Sequence, residues 1–579
     1  MNRTRSALPA ALALLVVLAT TWWAFAPALE CGFTAFDDDQ TITLNESFRG
    51  LDTATLEYAF TTRHMGHWQP LAWMSFGVDY ALGGLEPRVY HRTNVLLHCV
   101  AALLLLWLIV RYLVTARPLL AQQPWRVWSA ALVGAMAWAL HPLRTESVAW
   151  ITERRDLLAT VGLLLALHAW HSAVQPGQAS LRSRGWWWAS IALLALSLLA
   201  KAWGMTLWVV LLALDQSLYA RQASWRARLS EKWPHIVLGL AAAAVASWAI
   251  RSTPDITRSL TDWSVAQRLG QAAQGLVWYI ARSLHAQGLC ALHELPAHYD
   301  PWDAYTLYCA GLVVVVAALV WWMRRKLVWI ATALFVYAVL VSPVLGLQQA
   351  GPQFVADRYA HLATLPLAFL LAGGVALLPV AGAWLCTALV CALLIPATRV
   401  QCTYWKDDAA LWARVLEVHP DSSMGWQGFG NHKLVSKQPD EALAAFERSV
   451  ASNPRNWRAQ AGIGDALHAL DPVGRSDAAV AAWNKALEGY FPPWTVRTNL
   501  ANHLIARRRD LAGGVEQYEL AVREMESYGP YWTAPMVWYG AGQALRLAGR
   551  EAEGRALLEK AAADPRTRDR ALQALRTRP

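Results

Sequence analysis

Residues 8–40, LPAALALLVVLATTWWAFAPALECGFTAFDDDQ, place a long apolar run directly before three consecutive aspartates. About 20 apolar residues are enough for a helix to cross a bilayer, so the run predicts a retained transmembrane helix. The AFA sequence at 24–26 also resembles a signal-peptide cleavage site. Neighbouring carboxylates repel one another, and a membrane anchor has no use for them. Asp37, Asp38 and Asp39 are therefore candidates for a functional site, against the alternative of a solvated acidic turn.

The composition of the whole chain is that of a membrane protein. Of its 579 residues 56% are hydrophobic and only 16% are charged, and the 33 Trp suit the headgroup layer of a membrane. The seven Cys have no ligand-like spacing, which argues against a zinc site or a disulfide framework. Eleven apolar segments predict eleven spans: 8–29, 92–114, 127–140, 157–172, 186–200, 203–219, 234–250, 304–323, 327–345, 361–378 and 381–397.

Positive charge in the short loops predicts the orientation. The net charge of +10 lies largely in loops between apolar segments, so it sets topology and does not indicate a nucleic-acid partner. If the chain has eleven spans, these basic loops lie in the cytoplasm together with the N-terminus. The stretch 268–290 is interrupted by polar residues and is interpreted as a re-entrant or surface-lying helix. The outer face then holds the loops 30–91, 141–156, 251–303 and 346–360, the turn at 200–202 and the C-terminal region.

The C-terminal region has a repeat. Large rings at Trp412, Phe446, Trp483 and Tyr518 are separated by 34, 37 and 35 residues, and each is followed by small and apolar residues at helical spacing. A period near 34 is typical of tetratricopeptide units, which stack into peptide-binding solenoids. The chain is thus predicted to be all-α, with a transmembrane domain at 1–400 and a tetratricopeptide domain at 405–579; a generic helical bundle is the alternative.

The outer loops carry the residues that suggest chemistry. A rigid span fixes the depth of the aspartates, as a general base requires, and two adjacent carboxylates can divide roles. In HPLRTESVAWITERRD, 141–156, a helix starting at Thr145 would place Glu146 and Glu153 on one face, with Arg154 beside them. A snorkelling interfacial helix is the alternative there. Lys201 lies between two apolar runs, where it either binds phosphate or marks a turn. Asp357 and Arg358 precede another span and form either part of a site or a salt-bridged loop.

Acids and cations on one face suit an enzyme that handles a phosphorylated lipid. Cations stabilise the departing phosphate, and a carboxylate deprotonates the attacking hydroxyl. A tetratricopeptide scaffold on an inert membrane base, assisting envelope polysaccharide or secretion assembly, is an alternative function. A ligase that transfers a whole glycan from a diphosphate lipid is another.

The ordered motifs CGFTAFDDDQTI, QPLAWMSFGVDYALGGLEPRVYHRTNVLLHCV, HPLRTESVAWITERRDLL, KAWGM and ADRYAHLATLP precede the repeats. In this order they resemble the transmembrane-and-tetratricopeptide family of O-mannosyltransferase-like enzymes, with the C-type glycosyltransferase fold, and its bacterial relatives. The resemblance implies inverting transfer of mannose or another hexose from a polyprenyl-phosphate carrier to a protein Ser or Thr hydroxyl. The reaction would occur on the non-cytoplasmic face, with the repeats holding the acceptor.

The resemblance also implies roles for residues. Asp37 and Asp38 correspond to the acidic pair that supplies the base, and Asp39 is an additional acid. The inferred donor-phosphate residues are Arg154, Lys201 and Arg358, although Ala202 stands where relatives often have a Glu partner for the lysine. Supporting roles are assigned to Asp39, His141, Glu146, Glu153, Asp357 and Tyr359.

The sequence also gives expectations about a metal cofactor and about the location of the protein. No metal is expected, because a monophosphate can leave with cationic help alone; a divalent ion at Asp37 and Asp39 is the alternative. A composition rich in Ala, Leu, Trp and Arg suggests a bacterium with GC-rich DNA. That places the protein in the inner membrane, with the repeats in the periplasm.

Overall fold

The described part of the chain is all-helical apart from two short strands, as the sequence predicted. A computed structural model describes residues 3–251, 257–489, 492–528, 533–564 and 566–577. The chain divides into two compact units, Met1–Arg414 and Val415–Pro579. Most of the predicted outer loop 251–303 is described, but 252–256 lies outside the described residues. The predicted domain limits of 400 and 405 stay predictions.

In the first unit, five helices within the described ranges are long and apolar enough to cross a membrane: Ala7–Glu30, Pro87–Ala116, Trp233–Arg251, Ala304–Met323 and Val380–Thr403. Shorter apolar helices cover Arg184–Ala200, Val328–Val344 and Leu365–Val375. These helices are compatible with a membrane-associated protein, and the predicted total of eleven spans belongs to the proposal below. The remaining α-helices of this unit are Thr53–Thr61, Pro70–Gly83, Pro124–Ala139, Thr145–Ala149, Arg154–Ala173, Leu207–Ser217, Trp225–Ser230, Val265–Leu284 and Ala360–Ala363.

The long loop after the first span is structured, as its length predicted. Helices Thr53–Thr61 and Pro70–Gly83 fold back on it. A small core forms between them from Phe48, Trp73 and Ile151, all completely buried. Because Ile151 comes from the next outer loop, this core holds the two loops together.

Two further segments belong to the predicted outer loops. Strands His293–Glu294 and Gln353–Val355 pair antiparallel and bring the loops on either side together. The amphipathic segment predicted at 268–290 forms a helix, Val265–Leu284, whose first turn is closed by reciprocal hydrogen bonds between Ser264 and Gln267. Its depth in the membrane stays a prediction.

The second unit is a series of consecutive helices, each packed on the next. Phe446, Trp483 and Tyr518 are buried between neighbouring helices, which agrees with the repeat seen in the sequence. Its helices are Ser423–Val435, Pro439–Ser452, Trp457–Leu470, Ser476–Ala486, Pro493–Ala506, Leu511–Tyr528, Ala534–Leu547, Glu551–Ala562 and Arg568–Arg576.

Trp412, the first ring of the predicted repeat, lies outside the second unit. Trp412 is a residue of the first unit, in the part of helix Asp408–Val418 that precedes Val415, and its ring packs on Phe36 with centroids 5.6 Å apart. The ring spacing alone could not show this, because helical periodicity is the same whichever neighbour covers the face.

Glycines make room for the buried rings of the second unit. A Cβ added at Gly464 would lie 2.6 Å from the ring of Trp483. We therefore expect Gly464→Ala to lower the free energy of unfolding by about 1–3 kcal/mol, the usual cost of overpacking a core. Thermal unfolding measures this. Trp483→Phe introduced together with Gly464→Ala should recover part of the loss, because the smaller ring restores the space. An unchanged midpoint for Gly464→Ala would contradict the packing described.

Candidate active site

The three aspartates form a tight turn, here called the acid turn (Asp37–Asp39), directly after the first span. Asp37 has φ of 74°, a left-handed conformation that is strained for any residue other than glycine. The turn is closed by the amide of Thr41, which donates to the carbonyl of Asp37 over 2.8 Å. Strain of this kind persists only where surrounding structure imposes it, and it is concentrated at functional sites. Asp37 is partly exposed and is the leading candidate for the base.

Asp38 has a different environment. Its carboxylate is buried and accepts four hydrogen bonds: the amide and hydroxyl of Thr34 donate over 3.2 and 3.3 Å, and those of Thr152 over 3.0 and 2.6 Å. Burial raises the pKa of Asp38 to about 7, although these bonds oppose the shift. Because its lone pairs are occupied, Asp38 is poorly placed to remove a proton from a substrate. The structure instead makes it the link between the acid turn and the second outer loop.

Asp39 begins a π-helical turn, Asp39–Thr43. Its Oδ1 atom is buried and has no hydrogen-bond partner among the described residues. Burial raises the pKa of Asp39 to about 6, and repulsion from Asp37 adds to this. Repulsion between neighbouring carboxylates therefore contributes to the raised pKa of Asp39, but desolvation is the larger cause.

The sequence predicted a continuous helix from Thr145, and this prediction is wrong. Helix Thr145–Ala149 ends at Trp150, which is extended, and a 3-10 turn follows at Ile151–Glu153. The break occurs because tertiary partners take the backbone groups: Asn94 donates to the carbonyl of Trp150 over 3.3 Å, and the amide of Thr152 goes to Asp38. Sequence spacing could not reveal these partners.

Three basic side chains converge on the buried carboxylate of Glu153. We call them the cation cluster: Arg155, Lys201 and Arg358. The distances from their nitrogens to Glu153 oxygens are 2.5 Å for Arg155 Nη2, 2.9 Å for Lys201 Nζ and 3.4 Å for Arg358 Nε. Burial alone would raise the pKa of Glu153, but attraction to the three cations lowers it well below its usual range.

The cluster is most accessible at Lys201. The exposed fraction of its side chain is 20%, against 10% for Arg358 and 7% for Arg155. Lys201 also pairs with Asp156 over 2.6 Å, and the indole of Trp203 donates to the same carboxylate over 2.9 Å. The sequence suggested that Lys201 lacks an acidic partner, because Ala202 follows it. That expectation is wrong: Glu153 and Asp156 supply the acids from a distant loop.

Arg154, predicted to bind the donor phosphate, lies outside the cation cluster. Its side chain has no exposed surface and pairs with Asp79 over 2.5 Å. It also donates to Asn94 over 2.8 Å and to the carbonyl of Tyr90 over 2.9 Å. A guanidinium with these partners and no exposed surface is held in the interior, so the geometry indicates a structural role for Arg154 and does not support the predicted one. Its neighbour Arg155 is the arginine that contacts Glu153.

Arg358 and Glu146 meet as a buried pair. The carboxylate of Glu146 accepts hydrogen bonds from the guanidinium of Arg358 and, over 2.6 Å, from its backbone amide. The guanidinium also lies over the rings of Trp150 and Tyr359, at 5.3 and 4.9 Å from their centroids. Since the ring of Phe36 lies 4.8 Å from that of Trp150, aromatic contacts connect the acid turn to Arg358.

The other predicted supporting residues include Asp357, Tyr359 and His141. The imidazole of His293 lies 2.9 Å from Asp357, and burial raises the pKa of that carboxyl. The hydroxyl of Tyr359 accepts from Gln353 over 2.7 Å. His141 accepts from the amide of Leu143 over 3.2 Å, and burial lowers its pKa to about 3.

The similarity to known proteins points to glycosyl transfer. No protein-family model matches the chain. It is 42% and 44% identical, over 101 residues or 17% of its length, to the protein O-mannosyl-transferases Tmtc1 and Tmtc2 of Drosophila melanogaster. It is 29% identical over 220 residues, 35% of its length, to protein O-mannosyl-transferase TMTC4 of Homo sapiens. These matches span 10% of each fly relative and 29% of the human one. They support a glycosyltransferase-like role.

The chain has only a weak likeness to solved structures. The crystal structure of MamA is 16% identical and covers 28% of this chain and 91% of its own, with a TM-score of 0.23. The tetratricopeptide protein YrrB is 18% identical and covers 29% of this chain and 81% of its own, also with a TM-score of 0.23. Scores this low do not establish a common fold.

His67 and Gln69 lie beside the cation cluster, although no sequence pattern singled them out. A turn at His64–Gly66 contains a second left-handed residue, Met65, with φ of 54°. The chain then presents Gln69, whose side-chain oxygen accepts from Arg155 over 3.3 Å. Burial, with repulsion from Arg155 and Lys201, lowers the pKa of His67 well below its usual range. The HWQP stretch carried no recognisable spacing, so only the fold identifies these side chains.

The same turn is attached to the acid turn. The imidazole of His64 lies 3.1 Å from the carbonyl of Gln40, and the hydroxyl of Thr41 contacts the sulfur of Met65 at 3.7 Å. The two strained points of the first outer loop are thus held against each other. The loop therefore holds the acid turn against the turn at His64–Gly66 and brings Gln69 into contact with Arg155 of the cation cluster.

Proposed function

We propose that this protein is an inverting membrane glycosyltransferase with the C-type glycosyltransferase fold. It transfers mannose or another hexose from a polyprenyl-phosphate donor to a Ser or Thr hydroxyl of a protein. The single observation that carries the proposal is the Asp38–Thr152 link, which fixes the acid turn to the loop bearing Glu153 and Arg155. A base and a set of phosphate-binding cations are the two parts that such a transfer needs.

In the proposed mechanism Asp37 removes the proton of the acceptor hydroxyl. The acceptor oxygen attacks the anomeric carbon on the face opposite the phosphate and forms the new glycosidic bond. The bond from that carbon to the phosphate oxygen breaks, and its electron pair stays on the polyprenyl phosphate. Because a single displacement occurs at the anomeric carbon, its configuration inverts, as in other inverting glycosyl transfers.

The cation cluster binds and stabilises the departing phosphate. Glu153 holds Arg155, Lys201 and Arg358 in place before the donor arrives, so little reorganisation is needed during the reaction. Positive groups already fixed beside a developing negative charge contribute more than mobile ones. The proposal needs no metal; a divalent ion at Asp37 and Asp39 remains the alternative, which loss of transfer on chelation would favour.

Location and acceptor binding are part of the same proposal. The chain crosses the inner membrane about eleven times, with a cytoplasmic N-terminus and a periplasmic site. The C-terminal helices act as a tetratricopeptide array that holds the acceptor peptide. Support comes from the basic short loops and from the repeat of buried rings. Reporter fusions that place position 38 and the C-terminus on opposite sides of the membrane would overturn it.

Purified protein, synthetic polyprenyl-phosphate hexoses and a periplasmic extract test the transfer. We expect Lys201→Met to lower kcat/KM for the lipid-linked sugar about 10- to 100-fold, the equivalent of one lost hydrogen bond to a charged group. Lys201→Arg, which keeps the charge, is the matched control and should lose less. Equal activity of Lys201→Met and the unaltered protein would remove Lys201 from the donor site.

A further inference from the structure

The segment that leads into the acid turn is attached to the end of the last long apolar helix, Val380–Thr403. The amide of Gly32 donates to the carbonyl of Lys406 over 2.9 Å. The amide of Ala35 donates to a carboxylate oxygen of Asp408 over 2.7 Å. Residues more than 370 positions apart in the chain therefore fix the backbone two residues before Asp37.

The ring of Phe36 is enclosed by three tryptophans. Its centroid lies 4.8 Å from that of Trp150, 5.6 Å from that of Trp412 and 6.4 Å from that of Trp405. Trp150 belongs to the second outer loop, whereas the other two flank the start of helix Asp408–Val418. Phe36, directly before Asp37, is thus packed between Trp150 on one side and Trp405 and Trp412 on the other.

This anchoring matters because Asp37 is strained. A non-glycine residue at φ of 74° returns to a relaxed conformation unless its surroundings prevent it. On its N-terminal side the chain is held at Ala35 and Phe36, and on its C-terminal side it is held by the bonds of Asp38 and by the Thr41 amide, which donates to the carbonyl of Asp37. The bonds of Asp38 to Thr152 already have a role, because they link the acid turn to the next loop. The bond between Ala35 and Asp408 has no role assigned so far.

We propose that Asp408 is a positioning residue for transfer at Asp37. Its carboxylate accepts the amide of Ala35 and, with the tryptophans around Phe36, holds the base in its left-handed conformation. Asp408 touches neither donor nor acceptor in this proposal. The inference rests on the proposed function, and it adds the start of helix Asp408–Val418 to the structures that build the site.

Helix capping does not account for Asp408. The neighbouring Asp407 accepts the amide of Ala410 over 2.9 Å and so satisfies a free donor at the start of the helix. Asp407 thus bonds to the first turn of the helix, whereas Asp408 accepts from Ala35, two residues before the acid turn. Asp407→Ala is consequently a matched control for Asp408→Ala.

Steady-state kinetics and hydrogen exchange test the proposal. Asp408→Ala should lower kcat about 10- to 100-fold, the cost of a misplaced catalytic group, while KM for the lipid-linked sugar stays unchanged. Asp408→Asn keeps a carbonyl oxygen for Ala35 and should retain kcat close to that of the unaltered protein. Asp407→Ala should lower the thermal midpoint without lowering kcat. Hydrogen exchange of peptide 33–39 should quicken in Asp408→Ala and not in Asp407→Ala.

The outcomes separate the two proposals. If Asp37→Asn is inactive while Asp408→Ala has normal kcat and normal exchange at 33–39, the positioning role is wrong and the transfer stands. If the unaltered protein transfers no sugar, the proposed function is wrong, and exchange at 33–39 alone decides whether Asp408 holds the turn. Should Asp408→Ala fail to fold, Phe36→Leu takes its place: it should lower kcat, and a normal kcat would overturn the proposal.

Discussion

Asp37→Asn is expected to lower kcat for sugar transfer by about 10²–10⁴-fold, the usual contribution of a positioned general base. The amide is close in size to the carboxylate but cannot take up the proton of the acceptor hydroxyl. Asp37 is partly exposed, and its strained backbone places it at the turn that Asp38 fixes to the cation cluster loop. The measurement is transfer from a polyprenyl-phosphate hexose to acceptor peptide by purified protein, together with a thermal midpoint.

The neighbouring aspartate provides the control. Asp38→Asn places an amide nitrogen opposite either the Thr34 or the Thr152 donors, so a buried donor loses its acceptor. We expect this variant to lower the thermal midpoint together with kcat, whereas Asp37→Asn should lower kcat alone. Full activity of Asp37→Asn would assign the base to another residue, with Asp39 the next candidate.

Glu153→Gln is expected to lower the free energy of unfolding by about 3–5 kcal/mol, the usual cost of removing one partner of a buried ion pair. The carboxylate of Glu153 is completely buried and contacts Arg155, Lys201 and Arg358. Glutamine has the same shape but no charge, so Arg155 loses its ion pair with Glu153, while Lys201 keeps Asp156 and Arg358 keeps Glu146. Thermal unfolding of the purified protein in detergent measures the effect.

An exposed residue of the same type controls for the substitution itself. Glu57→Gln changes a carboxylate that is exposed on helix Thr53–Thr61, and the midpoint should stay within error of the unaltered protein. Equal midpoints for Glu153→Gln and Glu57→Gln would show that Glu153 does not organise the cluster. A raised midpoint for Glu153→Gln would show that repulsion among the acids dominates.

The membrane character, the helical fold and the repeat of the second unit were predictable from the sequence. Each depends on a local property: the length of an apolar run, the period of a helix or the spacing of Phe446, Trp483 and Tyr518. Local properties are recorded directly in the order of residues. The acidic and basic loops were also identifiable, because charge beside apolar runs is costly unless it is paired or used.

The partners within the site were decided only by the tertiary structure. Arg154 and Arg155 are adjacent in sequence, yet the first is bonded to Asp79 in the interior and the second joins Lys201 and Glu153. The break after Ala149 turns the chain at this point, and the bonds that cause the break come from residues far away in sequence.

The sequence by itself therefore determined which segments form helices and which loops carry charge. Only the folded chain decided that Asp38 is a buried link, that Arg155 belongs to the cation cluster and that Asp408 bonds to Ala35, just before the acid turn. The physical reason is that helix formation and apolar burial depend on near neighbours. The state and role of a charged group depend on whichever groups are brought within a few ångströms of it, and in a low-dielectric interior those groups dominate its energy.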